Sequence, residues 1–291
     1  MAPNSWQEII AGNKAGIFGR FPYVMIRDER SVSITMPPLT QTLGPCLSQS
    51  SAKYAKQLGI QKDLFNEIIS KLPKYDYFSQ NFHYSVTNWL PFYWKGFNQT
   101  TRYTYVIEDI SDLQEVWRGF LDNIRSDIRK AEKQLEVQND LEIDLFLNTI
   151  ELTFKRQNIA FPYSRDLVRM LDVACKKRQA CRNFVARDAQ DRIHAVVYLV
   201  WDENSAYYLM GGGDPDLRNS GAHSLLLWKA IQFASTVTNK FDFEGSMLEP
   251  VERFFRAFGA KQIPYFQITK TNLPVGKFDK FKRCFSTLFG R

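Results

Sequence analysis

The chain has 291 residues, 44% hydrophobic and 24% charged, a balance that excludes disordered and collagen-like classes and allows a large buried core. Its longest apolar run, HAVVYLV at 194–200, is strand length and far short of the roughly 20 residues that cross a bilayer as a helix, so a membrane-spanning class is excluded as well. Thirty-eight Lys and Arg against 31 Asp and Glu leave a charge of +7, which favours encounter with nucleotides, nucleic acid or a phospholipid surface without choosing among them.

MAPNSWQEII at the start has neither the basic nor the apolar region of a signal peptide, so a cytoplasmic location is expected. Cys46, Cys175, Cys181 and Cys284 are scattered, with no CxxC pair and only His83, His194 and His223 beside them. Buried or free thiols are expected, and no metal site.

In chain order, the first hundred residues read as loop-rich and aromatic, with MPPLTQTLGP at 36–45 as an ordered loop. Leu64, Ile68 and Leu72 predict a helix over about 61–71, stopped by Pro73. YDYFSQNFH and TRYTYVIEDI read as strands, and Pro91 and Gly96 break up the segment between them. From Ser111 the stripe Leu113, Trp117, Phe120, Ile124, Ile128, Ala131 and Leu135 predicts one long amphipathic helix. Arg118, Arg125 and Arg129 lie on its polar side, as a phosphate-contacting face or, more commonly, a solvated one. Two helices follow, at 142–157 and at 164–178 with Ser164 as the cap. CRNFVARD, RIHAVVYLVW and SAYYLMGG then form an antiparallel meander. A helix over about 221–237, the short strand FDFEG, a short helix and a last strand near QIPYFQITK complete the order.

The segment most informative about function is YYLMGGGDPDLRNSGAHSLLLWKAI, where a strand runs through Gly211, Gly212 and Gly213 into an apolar helix. Glycines let a backbone approach a ligand, and the first amides of a helix, with Arg218 nearby, suit an anion such as pyrophosphate. Asp214 and Asp216 oppose that reading, and a Gly-rich turn with Asp-Pro also serves as a plain tight connection. In FDFEGSM, Asp242 and Glu244 are expected on one face of a strand, about 7 Å apart along it. Either can take a proton from an attacking amine or hydroxyl, and partial burial raises a carboxyl pKa towards a useful value. The competing reading is a capping box of Ser246 and Glu249, with Glu244 supporting the turn. His223 stands at a helix start, where the dipole disfavours its charged form, and serves either the donor or packing. His194 reads as a satisfied core residue. The aromatics Trp89, Phe92, Tyr93, Trp94, Phe97, Tyr103 and Tyr105 are either an acceptor groove or core. The C-terminal run KFDKFKRCFSTLF is either an interfacial helix with peripheral membrane contact or a docked one.

Arg218, Asn219, Ser220, Gly221, Ala222 and His223 together resemble the R/Q-x-x-G-x-G/A pyrophosphate loop of the GNAT acyltransferase superfamily, with His223 departing from the final Gly/Ala. With TRYTYVIEDI, NIRSDIRKAEK, FDFEGSM and VERFFRAFGAKQIPYFQI, the chain from about Pro91 onward resembles the Fem-type branch of that superfamily. That resemblance implies an α+β, tandem GNAT-like acyl-CoA N-acyltransferase fold. Its degenerate first half would take residues 1–109, its better-formed second half 110–270 and a basic amphipathic segment 271–291. It implies acyl-CoA as co-substrate, held by Gly211, Gly212 and residues 218–223. It also implies Glu244 as base with Asp242 beside it, and Tyr265 as general acid. The acceptor would be an amine or hydroxyl of a sugar or cell-envelope intermediate. The best-known Fem-type members move an amino acid from aminoacyl-tRNA to a peptidoglycan precursor, which is the alternative donor and acceptor; the Fem coiled-coil arm is not present in this sequence. A non-catalytic GNAT-fold binding protein is the third reading.

Overall fold

The computed structural model describes residues 6–272 apart from 13–15, 17, 30 and 246; the basic run at the C-terminus and Ser246 therefore lie outside the described residues. The elements in chain order are β1 (Trp6–Gly12), β2 (Phe18–Arg27), β3 (Val32–Thr35), β4 (Cys46–Leu47), α1 (Tyr54–Lys71), β5 (Tyr77–Asn81), α2 (Leu90–Tyr93) and β6 (Asn98–Ile107). They continue with α3 (Leu113–Gly119), α4 (Asp122–Ala131), β7 (Glu136–Asn139), α5 (Ile143–Arg156), α6 (Arg165–Lys177), β8 (Cys181–Arg187), β9 (Ile193–Trp201) and β10 (Ala206–Gly213). After a 3₁₀ turn at Arg218–Ser220 come α7 (Ala222–Ala234), β11 (Phe241–Asp242), α8 (Glu249–Arg256) and β12 (Lys261–Thr271). This is the mixed α and β class expected from the sequence.

Two compact units divide the chain. One holds the described residues up to Arg102 and from Pro264 on, the other Tyr103–Ile263. The divisions fall inside β6 and β12, against the expected limits after Asp109 and Lys270.

In the first unit β1 pairs antiparallel with β2, β2 with β3, and β5 with the Gln267–Thr271 part of β12, while β3 and β5 run parallel. These strands correct the expectation of a loop-rich opening: MPPLTQTLGP is irregular as expected, but Pro22 inside β2 disguises a strand that alternates buried and exposed residues up to Tyr23 and then buries Val24 and Met25 as well. Helix α1 begins seven residues before Gln61, because its first two turns are exposed and carry no apolar stripe. Its Leu64, Phe65 and Ile68 pack with Phe21, Phe78, Phe82, Phe92 and Phe97 into one core, with Phe78 and Phe97 edge-to-face at 5.1 Å. The aromatic cluster therefore divides: Phe92 and Phe97 are core here, Tyr105 is core in the second unit, and Tyr93 and Trp94 are exposed.

In the second unit the strand order is β6-β11-β10-β9-β8-β7. The expected meander β8-β9-β10 is present and antiparallel, and Ser164 caps α6 by accepting from the Leu167 amide. Helices α4 and α7 cover one face of this sheet, where Ile124, Ile128, Leu226, Ile231 and Phe258 share a core. On the other face Phe146 and Ile150 of α5 pack with Val196 and Tyr198 of β9.

The single long helix expected from Ser111 is in fact two, α3 and α4. Phe120 and Leu121 adopt extended backbone between them, and the Leu121 amide donates to the Ala257 carbonyl at 2.9 Å. The apolar stripe runs on through the break because both helices face one core, so periodicity alone conceals it. Arg118 and Arg125 are taken by Glu115 and Asp122 within their own helices, and Arg129 lies over the Trp117 ring, which favours the solvated-face reading.

Gly259 makes that break possible. Its φ is +71°, and a Cβ there would stand 2.6 Å from the Gly119 carbonyl oxygen. Gly259→Ala is expected to cost about 1–3 kcal/mol, through left-handed strain and this clash. A lowered urea midpoint with an unchanged m-value would confirm it.

Candidate active site

The site grows from the sheet of the second unit. β10 and β11 run parallel but pair only at Ala206 with Phe241 and Tyr207 with Asp242. Beyond that point β10 continues through a register irregularity at Tyr208–Met210 to Gly213, still paired to β9, while β11 ends. Two strands that start together and then part leave a cleft at their carboxyl ends, where open α/β sheets bind ligands.

At the far end of β10 the glycines are explained by packing. A Cβ on Gly212 would stand 2.8 Å from Thr153 Oγ1, one on Gly213 2.4 Å from the His194 carbonyl, and one on Gly211 2.4 Å from the Tyr208 hydroxyl. These close approaches give the glycines a packing reason: they admit α5, β9 and a tyrosine. Thr153 fastens the contact by donating to the Gly213 carbonyl (3.2 Å) and accepting from the Gly213 amide (3.0 Å).

The loop that follows is held from α4. Lys130 donates to the Asn219 carbonyl (2.6 Å) and Gln134 to the Ser220 carbonyl (3.2 Å). Gly221, at φ +78°, passes so close to α4 that a Cβ would stand 2.4 Å from the Asp127 carbonyl oxygen. With these carbonyls tied back and the Ala222 amide donating to Ser220 Oγ at 3.4 Å, the donors the loop can turn to an anion are the next amides of α7 and the Arg218 guanidinium. A cavity of about 200 Å³ lies here, lined by Gly211–Pro215, Leu217, Arg218, Ser220, Ala222 and His223 together with His194, Ala195, Thr153 and Arg156. Asn219 and Gly221 shape the loop without lining the cavity.

Arg156, at the last turn of α5, is a residue the sequence reading missed; nothing in the spacing links that helix to the loop. Arg156 and Arg218 are both exposed, and neither has an ion-pair partner among the described residues. Asp214 also lines the cavity, but its carboxylate accepts the Asp216 amide at 2.8 Å. His223, the departure from the Gly/Ala pattern, meets the Tyr208 hydroxyl through Nε2 at 3.0 Å and packs edge-on to Phe254. Burial lowers its pKa to about 4, so the ring is neutral at physiological pH. His194 is only half satisfied: Nε2 meets Asp188 at 3.0 Å, while buried Nδ1 has no hydrogen-bond partner.

At the parting point stand the carboxylates. Asp242, the last residue of β11, is 5% exposed and its Oδ1 accepts from the Thr104 hydroxyl (2.5 Å) and the Glu244 amide (2.7 Å). Burial, only partly offset by those two bonds, raises its pKa to about 6. Glu244 does not share a strand face with it: the strand ends at Asp242, and Glu244 and Gly245 turn away at φ +55° and +54°. Gly245 is pressed onto β6, where a Cβ would stand 2.2 Å from the Tyr103 carbonyl oxygen. The Glu244 carboxyl, packed among protein yet still partly accessible, is raised well above the usual range, by burial first and by Asp242 second. Tyr163, from the α5–α6 connection, is raised by burial and then by the charge of Glu244, and Tyr207, paired with Asp242 across the strands, feels the charge of that residue. Tyr265 is buried on β12 in the first unit.

Of the expected capping box, Ser246 lies outside the described residues. α8 starts at Glu249 with Leu248 as its cap residue and no side-chain cap bond, so Glu249 occupies the first helical position where a capping box needs it at the third. Among the described residues no group of three or more His, Cys, Asp or Glu could hold a metal ion, and no helix is long and apolar enough to cross a membrane.

Residues 118–247 match the family model for the acetyltransferase (GNAT) domain, a span that contains the loop, the cavity and both carboxylates. This part of the chain is similar to a GNAT domain. No curated protein matches the chain. Among solved structures the chain is similar to FemX, with 11% identity, a TM-score of 0.66 and coverage of 91% of this chain and 88% of that one. It is also similar to L-PGS from Bacillus licheniformis (9% identity, TM-score 0.56, coverage 98% and 90%). A tandem GNAT protein from the clavulanic acid biosynthesis pathway is similar too (9% identity, TM-score 0.55, coverage 93% and 84%). At such identities the likeness is one of fold, and at that level the Fem-like, tandem GNAT reading of the sequence holds.

The buried carboxylate of this part of the chain carries a pH signature. Asp242 titrates near 6 when folded, against an ordinary value of 3.8, so folding favours its protonated form. Its contribution is therefore complete below about pH 4 and is lost as pH rises through 6, a difference of about 3 kcal/mol at neutral pH. Asp242→Asn keeps an oxygen acceptor at Oδ1 and is expected to flatten the fall in stability between pH 4 and 7, read from urea midpoints at each pH.

Proposed function

We propose that this protein is a GNAT-type acyltransferase that moves an acyl group from acyl-CoA to an amine or hydroxyl of a sugar or cell-envelope intermediate. The observation that carries the proposal is the pairing of an anion-accepting cavity at one end of β10 with buried carboxylates at the other. From Tyr207, level with Asp242, to Gly211–Gly213 is four to six residues, about 13–20 Å of strand. A donor bound at both ends needs its phosphates separated from its acyl group by a long neutral arm, as in coenzyme A.

In this reading the α7 amides, Arg218 and Arg156 bind the phosphates, and the arm follows the stretch of β10 that β11 leaves. Ionised Glu244 takes the proton from the acceptor nitrogen or oxygen as that atom attacks the thioester carbonyl. A C–N or C–O bond forms, the C–S bond breaks, and the departing thiolate takes up a proton. Tyr163 stands as a proton donor or acceptor-orienting group, and Asp242 raises the basicity of Glu244. Tyr265 is retained as an alternative acid from the resemblance.

An aminoacyl-tRNA donor is the second reading, favoured by the net charge of +7, and a GNAT-fold protein that binds without catalysis is the third. Thermal-shift titration with acetyl-CoA, longer acyl-CoAs and charged tRNA separates them, because only ligands of the native state raise the melting temperature. Stabilisation by CoA species alone removes the tRNA reading, by tRNA alone removes the CoA reading, and by none removes both.

Arg218→Ala is expected to weaken acyl-CoA binding about tenfold through lost phosphate contact. Glu244→Gln is expected to lower turnover about 10²- to 10⁴-fold at nearly unchanged donor affinity. In the parent enzyme kcat/KM should rise with pH as Glu244 ionises, above the ordinary carboxylate range, and Glu244→Gln should abolish that limb. A folded Glu244→Gln protein with full turnover would remove Glu244 from the mechanism.

A further inference from the structure

Outside the cleft, the end of α6 and the start of β8 bring two thiols together. The Arg178 and Ala180 amides both donate to the Cys175 carbonyl at 3.0 Å, and Gln179 between them is left-handed at φ +53°. This turn folds the chain back within six residues, so that Cys181, the first residue of β8, lies against Cys175 of α6. The two thiols bear on each other's ionisation, and both residues are free thiols with part of their surface accessible.

The pair sits in a polar cluster that the proposed acyl transfer does not use. The Tyr198 hydroxyl on β9 donates to buried Asp172 at 2.8 Å and acts on the Cys181 thiol as well, while Asp172 accepts from Lys176 at 2.9 Å. Asp172, Lys176, Arg178 and Tyr198 are the charged or titratable groups facing the thiols. Hydrogen bonding from Cys175, aided by Tyr198, lowers the Cys181 thiol to about 7, and the Cys175 thiol is raised in turn. A thiol drawn towards its thiolate form beside a second thiol is the combination that thiol oxidation and its resolution require.

We propose that Cys175 and Cys181 form a reversible disulfide, with a hydroperoxide such as hydrogen peroxide as oxidant. The Cys181 thiolate attacks the peroxide, giving a sulfenic acid and, with one proton, water. The Cys175 thiol then displaces the sulfenic oxygen as a second water while the S–S bond forms. The net change is two thiols and one hydrogen peroxide to one disulfide and two waters, the thiols being oxidised by two electrons and the peroxide reduced.

Trypsin cleaves after Lys176, Lys177 and Arg178, so the disulfide would join two separate peptides, Met170–Lys176 and Gln179–Arg182. The full chain is treated with hydrogen peroxide, quenched, alkylated with iodoacetamide and digested without reduction. The expected result is this linked pair, two hydrogens lighter than the sum of its peptides, lost on dithiothreitol treatment and formed several-fold faster at pH 8 than at pH 6. Cys175→Ser should halt at a Cys181 sulfenic acid that dimedone traps. The linked pair is read on the parent chain, so the outcome does not depend on how that variant folds. Oxidation of Cys181 to sulfinate without a linked pair, preferential linkage to Cys46 or Cys284, or full alkylation of both thiols after peroxide would each overturn the proposal.

Discussion

The second unit depends on two parallel strands parting after only two residue pairs. In a continuous sheet the amides and carbonyls of β10 beyond Tyr207 would be spent on β11. Instead β11 is turned aside at once, because the Asp242 carboxylate captures the Glu244 amide and the Thr104 hydroxyl and Gly245 is pressed onto β6. One buried acid therefore ends the strand, fixes the turn and opens the cleft. Losing it would leave buried donors without an acceptor, which costs more than the bonds themselves contribute in isolation.

Burial sets the charge pattern around that cleft. His223 is kept neutral and Asp242 and Glu244 are pushed towards their protonated forms, so the interior lowers its charge. Arg156 and Arg218 keep theirs at the exposed rim, with no carboxylate partner among the described residues. Surface guanidinium groups without partners contribute little to stability. In the proposed function their use is for a ligand, since a phosphate at the start of α7 would gain from both their charge and the helix dipole.

Much of this was legible in the sequence where one residue pattern had one physical solution. The meander, α5, α6 and the strand, loop, helix unit followed from periodicity and turn residues, and Arg218, Ser220, Ala222 and His223 of that loop line a cavity. Features set by contacts distant in sequence were not legible. The break between α3 and α4 is imposed by Ala257 and Gly259, over a hundred residues away, and Gly211–Gly213 are small because Tyr208, α5 and β9 crowd them. The strands β1 to β3 were missed because Pro22 and short aromatic runs masked their alternation. Arg156 could have been found only by knowing that α5 ends beside the loop.

Glu244 bears two costs that a purely structural residue would shed. A non-glycine residue at φ +55° is strained by about 1–3 kcal/mol, and a carboxyl packed beside Asp242 is forced far from its ordinary pKa. Glycine would relieve the first and glutamine the second, and neither would disturb the hydrogen bond to Asp242, which uses only the main-chain amide. Helix capping does not justify it either, since α8 begins without a side-chain cap. Strain and desolvation concentrated on one acid, at the point where the strands part, are what a proton acceptor for an attacking nucleophile requires: high basicity, partial access and a fixed direction. The proposal that Glu244 is the base therefore draws on its backbone as much as on its side chain.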